Sequence, residues 1–244
     1  MQQLKIVLLG YGKMGKEIEK MAVQNSHEII ARVDNAIDWE EQAEFVKEAD
    51  MAIDFSTPDS VIDNINRCFD IALPIVVGTT GWYDKIDDIK IRCEAGNHSL
   101  LWASNCSIGM NIFFKLNDLL AQMTSKFPAY KASLYEIHHS QKLDAPSGTA
   151  VTIADGIIQK HSGYQSWKLI EDSFEDIPKN ILPIAYERLG KVTGLHQVKY
   201  ESDIDILSIK HEAKNRKGFA EGALLAAQWL SQRQGFYSMA DVFE

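Results

Sequence analysis

Short apolar runs alternate with amphipathic stretches through the first hundred residues of the chain. Runs of this kind predict strands buried on both faces of a parallel sheet, and they lie at 4–9, 27–34, 51–55, 73–77 and 100–103. The clearest helical periodicity spans 13–24, and Ser56–Asp59 is typical of a turn that leads into another helix. Strands that alternate with helices predict a parallel sheet with right-handed crossovers.

The pattern changes near residue 108. The elements predicted beyond it are a long helix over 110–126, a strand over 131–139, a helix over 147–160 and two strands over 194–201 and 204–212. The turn at Glu201–Asp203 is tight, so the last two strands are expected to be antiparallel. Residues 162–182 are polar, acidic and poorly periodic, and we expect a loop there. The second half is therefore predicted to be α+β.

The last predicted helix spans 219–232 and carries an apolar stripe. The stripe consists of Phe219, Ala223, Ala226, Ala227 and Leu230. It fits either half of the chain, and we expect the helix to return to the first half. This gives a first domain of residues 1–107 and 216–244 and a second domain of residues 108–215.

Composition and charge narrow the classes of protein. With 45% hydrophobic and 24% charged residues, the chain has enough apolar side chains for a core, so disorder is excluded. The net charge of -9 argues against a nucleic-acid-binding protein, and any anionic ligand would need a local positive patch.

Cysteine usage and the N-terminus indicate the compartment. Cys68, Cys93 and Cys106 are odd in number and lack metal or disulfide spacing, so we expect free thiols in a reducing cytosol. The N-terminal apolar run is interrupted by Lys5 and stops at Gly10, which is too short for a signal peptide or a membrane span. We therefore expect a cytoplasmic protein that does not bind a membrane.

A glycine-rich loop follows the first predicted strand and opens the first helix. It reads Gly10-Tyr11-Gly12-Lys13-Met14-Gly15, and this context gives the GxGxxG pattern its meaning. Gly10 permits the tight turn, Gly12 lets the backbone approach a pyrophosphate, and Gly15 lets the helix pack against the strand. The free N–H groups at the helix start would then face the phosphates, which predicts a dinucleotide site.

Asp34 ends the second strand, where an acidic residue can bind the ribose hydroxyls of NAD. It would repel the additional phosphate of NADP, and Asn35 rather than an arginine follows it. The sequence therefore favours NADH, with NADPH possible. The alternative is a plain glycine turn with a surface aspartate.

A second glycine-rich loop, Gly78-Thr79-Thr80-Gly81, follows the fourth strand. Ligands of open parallel sheets bind beyond the carboxyl ends of the strands, which is where this loop falls. A turn without a ligand is the alternative.

Residues 136–150 carry the residue types that acid–base chemistry requires. His138, His139 and Lys142 precede a predicted helix N-terminus at Ser147. Ser147 is a good N-cap, and the N–H groups of Gly148 and Thr149 would form an anion site that suits a carboxylate. A buried, hydrogen-bonded imidazole is the structural alternative for either histidine.

We predict no metal at this segment. Adjacent side chains of an extended segment point to opposite faces, so His138 and His139 do not readily bind one ion. The sequence shows no cluster of cysteines or carboxylates that would complete a coordination set.

The run from His138 to Ala150, HHSQKLDAPSGTA, resembles the signature of dihydrodipicolinate reductases, also called 4-hydroxy-tetrahydrodipicolinate reductases. The resemblance covers nearly the whole chain. It includes the two glycine-rich loops, Ser104–Gly109, Arg188–Gly190 with Gly194–His196, and Arg216 with Phe219–Ala223. It implies an NAD(P)H-dependent enzyme of the diaminopimelate route to lysine, with a Rossmann-type domain and an α+β substrate and oligomerisation domain with a mixed sheet.

The resemblance also implies roles for individual residues. His138 would be the general acid/base, and Lys142 would donate the proton or hold the substrate. His139, Ser147, Gly148 and Thr149 would contact a substrate carboxylate. The nicotinamide side would be lined by Gly78, Thr79, Thr80, Ser104, Asn105 and Cys106. Members of the family are homotetramers joined through the sheet of the second domain.

The chain departs from the family at two places. Ser140 and Gln141 stand where many members carry basic residues, which leaves less positive charge in the pocket. The stretch between Asp34 and the third strand is short, which leaves the adenine-side contacts open.

The hypothesis is that a nicotinamide reduces a cyclic imine dicarboxylate while His138 or Lys142 supplies a proton. The domains would close about joints near Ser107 and Arg216. A nicotinamide dehydrogenase of another small acid or semialdehyde, and a non-catalytic dinucleotide sensor, are the alternatives. Neither accounts for residues 138–150.

Overall fold

The chain forms two compact units in a computed structural model, which describes residues 3–170 and 177–244. One unit contains Met1–Ile108 and Arg216–Glu244, and the other contains Gly109–Asn215. Each unit has its own sheet and its own apolar core. No helix of the described ranges is long and apolar enough to cross a membrane.

The first unit is built on a six-stranded parallel sheet. Its strands are β1 (Lys5–Leu9), β2 (Glu28–Val33), β3 (Met51–Asp54), β4 (Ile75–Val77), β5 (Ser99–Trp102) and β11 (Gly235–Ser238). The order β11-β5-β4-β3-β1-β2 reverses between β1 and β3, and ligands of such sheets bind at this switch point. The first glycine-rich loop leaves β1 at that point.

Helices cover both faces of this sheet. They are α1 (Lys13–Gln24), α2 (Ala36–Glu41), α3 (Ala43–Lys47), α4 (Val61–Asp70), α5 (Ile86–Ala95) and α8 (Lys217–Leu230). Alternation along β1 decides the packing, because Ile6 and Leu8 join the core with α1 and α8 while Val7 and Leu9 join the opposite core. α8 contributes Ala220, Ala223 and Ala227 to the core that contains Ile6 and Leu8.

The second unit is a five-stranded mixed sheet with two helices. Its elements are α6 (Ile108–Thr124), β6 (Lys131–His138), α7 (Gly148–Lys160), β7 (Ser166–Ile170), β8 (Ile181–Arg188), β9 (Leu195–Glu201) and β10 (Ile206–Glu212). The strand order is β10-β9-β6-β8-β7, antiparallel over its first two pairs and parallel over its last two. The predicted combination of a Rossmann-type sheet with a mixed sheet is confirmed.

The prediction of a loop over 162–182 is wrong in part. It misses β7 and the start of β8, while residues 171–176 lie outside the described residues. Proline normally argues against a central strand, but Pro183 precedes the stretch that pairs with β6, which begins at Ile184. β7 is a half-exposed edge strand, so its sequence lacks a clean alternation.

Candidate active site

The glycine loop before α1 is shaped by close backbone contacts. Gly10 has a φ of +87°, a left-handed conformation, and a Cβ there would lie 2.4 Å from the carbonyl oxygen of Phe55. A Cβ on Gly15 would lie 2.4 Å from the carbonyl oxygen of Gly10. A Cβ on Gly12 would have no non-local neighbour within 4 Å among the described residues. The first N–H groups of α1 therefore have an open approach that fits a pyrophosphate.

The other residues of this loop are exposed or anchor it. Lys13 is exposed, whereas Met14 packs against the core beneath α1. Asp34 lies beside the loop, because its Oδ1 accepts a hydrogen bond of 2.7 Å from the backbone N–H of Tyr11. The Asp34 side chain is exposed, so the structure brings an accessible carboxylate to the glycine loop.

An arginine missed by the sequence analysis also lies at this loop. Arg32 on β2 forms an ion pair with Glu19, and Glu19 accepts a second hydrogen bond from the Tyr11 hydroxyl. The guanidinium lies 5.7 Å from the centroid of the Tyr11 ring. The hydrogen bond from Arg32 lowers the pKa of Glu19 despite partial burial. Arg32 is two residues before Asp34, and side chains two residues apart on a strand lie on the same face. This spacing was the sequence signal that Arg32 lies near Asp34.

The second glycine-rich loop is tied to a buried carboxylate. Thr79 donates its hydroxyl hydrogen to Asp54, which also accepts hydrogen bonds from the Ser56 backbone and from Asn64. Burial raises the pKa of Asp54 against the opposing effect of these hydrogen bonds. Thr80 is exposed. The loop is therefore held by the inward-facing Thr79, while Thr80 is accessible to a ligand.

Residues Ser104 to Cys106 form a compact turn after β5. Asn105 accepts a hydrogen bond of 2.9 Å from the Ser107 N–H, and Ser104 and Asn105 are half-buried. A Cβ on Gly222 of α8 would lie 1.7 Å from the carbonyl oxygen of Cys106, so the helix and this turn are in close contact. Burial raises the pKa of the Cys106 thiol to about 12, which keeps it protonated. All three cysteines are buried and unpaired.

In the second unit, β6 carries acid–base groups on its buried face. Side chains of this strand alternate, and Glu136 and His138 share the inward face with Ala132 and Leu134. His138 is the last residue of the strand and is buried. Its Nδ1 lies 3.4 Å from Glu136 Oε2, and its ring meets the ring of His196 edge-on with centroids 5.0 Å apart.

Glu136 connects His138 to the start of α7. Its Oε1 accepts hydrogen bonds of 3.1 Å from the backbone N–H of Ser147 and of 3.1 Å from Arg188. Arg188 also donates to the carbonyl oxygen of Asp144, 2.6 Å away, which fixes the loop that precedes the helix. The predicted N-cap is observed, because Ser147 Oγ accepts a hydrogen bond from the N–H of Ala150.

The remaining predicted substrate residues lie in the loop before this helix and in its first turn. Gly148 is exposed and Thr149 half-buried at the first turn of α7. Lys142 forms an ion pair with Asp144, with Nζ 2.9 Å from Oδ1. His139 is half-buried and follows His138 on the opposite side of the strand end. The structure therefore gathers the predicted acid–base and anion-binding residues around one loop.

Burial and neighbouring charges act oppositely on the two acid–base groups. Burial lowers the pKa of His138 to about 4, opposed by Glu136 and reinforced by His196, Lys142 and Arg188. Burial alone would raise the pKa of Glu136, but His196, Ser147, His138 and Arg188 together lower it to about 2. At neutral pH the pair is a carboxylate beside a neutral imidazole.

Sequence reasoning missed Glu136, Arg188, Gly194 and His196 as members of this site. A Cβ on Gly194 would lie 3.1 Å from His138 Nε2, so the glycine leaves room for the imidazole. A glutamate at an otherwise apolar, inward position of β6 was the signal for Glu136. Arg188 and His196 are more than fifty residues from Glu136 in the sequence. They come close to it because β6 pairs with β8 and β9.

Glu136, His138 and His196 also place three ligand-type atoms within 4.8 Å of one another. The sequence analysis expected no cluster of cysteines or carboxylates that would complete a coordination set, and it did not foresee this grouping. The other oxygen of Glu136 is paired with the guanidinium of Arg188, which opposes a further cation. We assign no metal to this cluster.

Comparisons with known proteins identify the family. The profile of the dihydrodipicolinate reductase N-terminus matches residues 4–106, and that of the C-terminus matches residues 109–243. A 4-hydroxy-tetrahydrodipicolinate reductase from Christiangramia forsetii is 42% identical over 98% of this chain and 97% of its own length. One from Rickettsia bellii is 32% identical over 96% of this chain and 91% of its own.

Solved structures agree with these sequence relatives. A dihydrodipicolinate reductase from Paenisporosarcina sp. TG-14, solved with dipicolinate bound, has a TM-score of 0.78 at 22% identity and covers 98% of this chain and 99% of that chain. An amine dehydrogenase from Mycobacterium smegmatis shares the fold at a TM-score of 0.66 and 8% identity, over 98% of this chain and 96% of that chain. The chain belongs to the dihydrodipicolinate reductase family.

Proposed function

We propose that this chain reduces 4-hydroxy-tetrahydrodipicolinate to tetrahydrodipicolinate with a nicotinamide cofactor, in the diaminopimelate route to lysine. One observation carries the proposal: the buried Glu136–His138 pair adjoins the helix N-terminus at Ser147, in a chain whose other unit has a dinucleotide-type glycine loop. Relatives that bear this activity in their names match the chain over nearly its full length.

The first unit would hold the dinucleotide. The open approach at Gly12 and the first N–H groups of α1 would bind the pyrophosphate, and Asp34 would bind a ribose hydroxyl. The exposed Thr80 and the turn at Ser104–Cys106 would line the nicotinamide end. When bound, the nicotinamide supplies a hydride.

The second unit would bind the substrate and supply the proton. The reaction replaces a hydroxyl of the substrate by hydrogen, so a hydride and a proton are consumed and water is released. His138 is the general acid/base of this proposal, with Lys142 as the second proton source or the group that holds the substrate. Gly148 and Thr149, with His139, would orient a carboxylate at the positive end of α7.

NADH is the cofactor that Asp34 favours, because its exposed carboxylate would repel the 2′-phosphate of NADPH. Arg32 keeps NADPH possible, but its guanidinium is already paired with Glu19. The ratio of kcat/KM for the two cofactors tests this preference. We expect a ratio above unity for NADH, and a clear preference for NADPH would reverse the assignment.

The decisive assay follows the substrate-dependent loss of nicotinamide absorbance. The substrate is generated in place from pyruvate and aspartate semialdehyde by the synthase that precedes this step. We expect rapid oxidation that depends on both the synthase and this chain. No turnover with either nicotinamide would overturn the proposed function. Binding of NADH without turnover would favour a sensor, and turnover of a different small acid alone would favour a related dehydrogenase.

The proposal includes a cytoplasmic homotetramer associated through the sheet of the second unit. One edge strand of that sheet, β10, carries Ile206 and Leu207, which are 54% and 41% exposed. Such a strand with apolar side chains is available for association. Light scattering coupled to size-exclusion chromatography should give four times the monomer mass of 27.5 kDa, and a monomer would contradict it.

A further inference from the structure

Glu136 is completely buried, with 0% exposure, and contacts four groups from four parts of the second unit. Oε1 accepts hydrogen bonds from Ser147 and Arg188, while Oε2 lies 3.4 Å from His138 Nδ1 and 3.5 Å from His196 Nε2. Burying a carboxylate is unfavourable unless charges and donors surround it. Arg188 and the Ser147 N–H both bond to Oε1, so the second oxygen, Oε2, is left facing the two histidines.

The contact between Glu136 and His138 determines which ring nitrogen of the imidazole carries the hydrogen. Glu136 Oε2 and His138 Nδ1 have no hydrogen-bond partner in residues 3–170 and 177–244, and they face each other. A carboxylate beside Nδ1 favours the tautomer with its hydrogen on that nitrogen. Nε2 then carries the free lone pair. This nitrogen lies on the side of Gly194, where a side chain is absent.

We propose, resting on the reductase function above, that Glu136 is the positioning residue of this active site. Its carboxylate orients His138 so that Nε2 exchanges the proton, and through the Ser147 N–H it holds the anion-binding start of α7 at a set position from that nitrogen. The acid–base group and the carboxylate-binding group thereby share one anchor. Glu136 itself touches no reacting atom in this account.

The charges around His138 make this testable. Glu136 faces it from β6, Arg188 from β8, His196 from β9 and Lys142 from the loop before α7. Of these four groups only Glu136 is negative. Removing its charge therefore leaves only groups that oppose protonation of His138, and the pKa of His138 must fall.

The first readout is the NMR titration of His138 in the free protein, assigned by its loss in His138→Gln. In Glu136→Gln we expect the His138 midpoint to move to lower pH than in the wild type. The matched control is Glu187→Gln, which removes the same charge from an exposed position on β8. It should leave the His138 midpoint unchanged. An unchanged midpoint in folded Glu136→Gln would overturn the proposal.

The second readout is the pH profile of turnover. Glu136→Gln should lower kcat on the order of 100-fold near neutral pH, with the profile displaced to lower pH and the KM for NADH unchanged. A loss that is equal at every pH would mean a structural role only. If Glu136→Gln fails to fold, Glu136→Asp keeps the charge but withdraws it from Nδ1. It should show a smaller shift of the midpoint in the same direction, and no shift would overturn the proposal.

These readouts separate the two proposals. Absence of turnover in the wild-type protein would refute the reductase function, yet the His138 titration would still test the contact with Glu136. Wild-type turnover with an unperturbed His138 in Glu136→Gln would refute the positioning role and leave the function standing.

Discussion

His138 occupies a confined place in the second unit. Its ring is bounded by Glu136, by the edge of His196 and by the backbone of Gly194. A side chain at residue 194 would begin 3.1 Å from Nε2, so the position of the imidazole depends on a glycine that is distant in sequence. The position of this histidine is thus set by three neighbours from different parts of the second unit.

Gly194→Ala should displace the imidazole with little effect on folding. We expect kcat to fall about tenfold, because the added methyl group must push the ring from its place beside Glu136. The melting temperature and the KM for NADH should change little. Gly218→Ala is the control, since the one neighbour its Cβ would meet within 4 Å among the described residues is Ser107 Oγ, at an ordinary 3.7 Å. Unchanged kcat in Gly194→Ala would show that the ring is not confined there.

Replacing the two proton-bearing residues tests their roles directly. His138→Gln and Lys142→Ala should each lower kcat by at least about 100-fold, because proton transfer contributes gains of that size. Lys191 is an exposed lysine in the loop after β8. Lys191→Ala is therefore the control for the loss of a positive charge, and it should retain the wild-type kcat. If both site variants are folded and fully active, the assignment of this segment is wrong.

The elements of the first unit were largely predictable from the sequence. Strands such as β1 are buried on both faces and appear as continuous apolar runs that alternate regularly with the predicted helices. β11 was missed because it has only four half-buried residues and one neighbour, β5. The helices α2 and α3 are five or six residues long, too short for a periodic signal.

The candidate site was predictable only where its residues are consecutive. His138, Lys142 and the helix start at Ser147 lie within ten residues, so one sequence window contains them all. Glu136 could be recognised in the sequence because it is a charged residue at an inward-facing position of β6 that would otherwise be apolar. Arg188 and His196 enter through strand pairing, which sequence periodicity does not specify.

The glycine loop allows folding and cofactor binding to be separated. Gly12→Ala has room for its methyl group, so the free energy of unfolding should change by less than about 0.5 kcal/mol. The dissociation constant for NADH should rise at least about tenfold, because that methyl group occupies the approach of the pyrophosphate. Gly15→Ala should instead destabilise the protein by about 2 kcal/mol, since its Cβ would collide with the Gly10 carbonyl.

Calorimetric titration with NADH and denaturant unfolding measure the two effects. We predict that Gly12→Ala weakens NADH binding without loss of stability, whereas Gly15→Ala lowers the stability. Equal losses of stability, or NADH binding by Gly12→Ala with wild-type affinity, would show that the loop does not cradle a pyrophosphate.

At the scale of the whole molecule, histidines make stability depend on pH. Burial lowers the pKa of His27, His98, His138, His161 and His211. Below about pH 6.5 these histidines bind protons more readily in the unfolded chain than in the folded chain, so their contribution to stability falls as the pH drops. The raised pKa of Asp54 acts in the opposite direction, and the five histidines outnumber it. Glu136, whose pKa is lowered to about 2, adds a further loss as the pH falls below its unfolded value of about 4.5.

Urea unfolding at pH 7.5, 6.0 and 5.0 measures this dependence, with roughly constant ionic strength. The unfolding midpoint should decrease at each step. His161→Gln should make the unfolding midpoint less dependent on pH, because one histidine with a lowered pKa is removed. A midpoint that is constant or rises toward pH 5 would contradict the prediction.

In the proposed reaction, hydride passes from a nicotinamide to the dicarboxylate under the control of His138. The most direct test is mass spectrometry of the product formed with NADH deuterated at both C4 positions. The product should contain one deuterium atom, and it should form rapidly with the wild type and with Lys191→Ala and far more slowly with His138→Gln. Oxidation of NADH without deuterium in the product, or labelling that is as fast in His138→Gln, would contradict it.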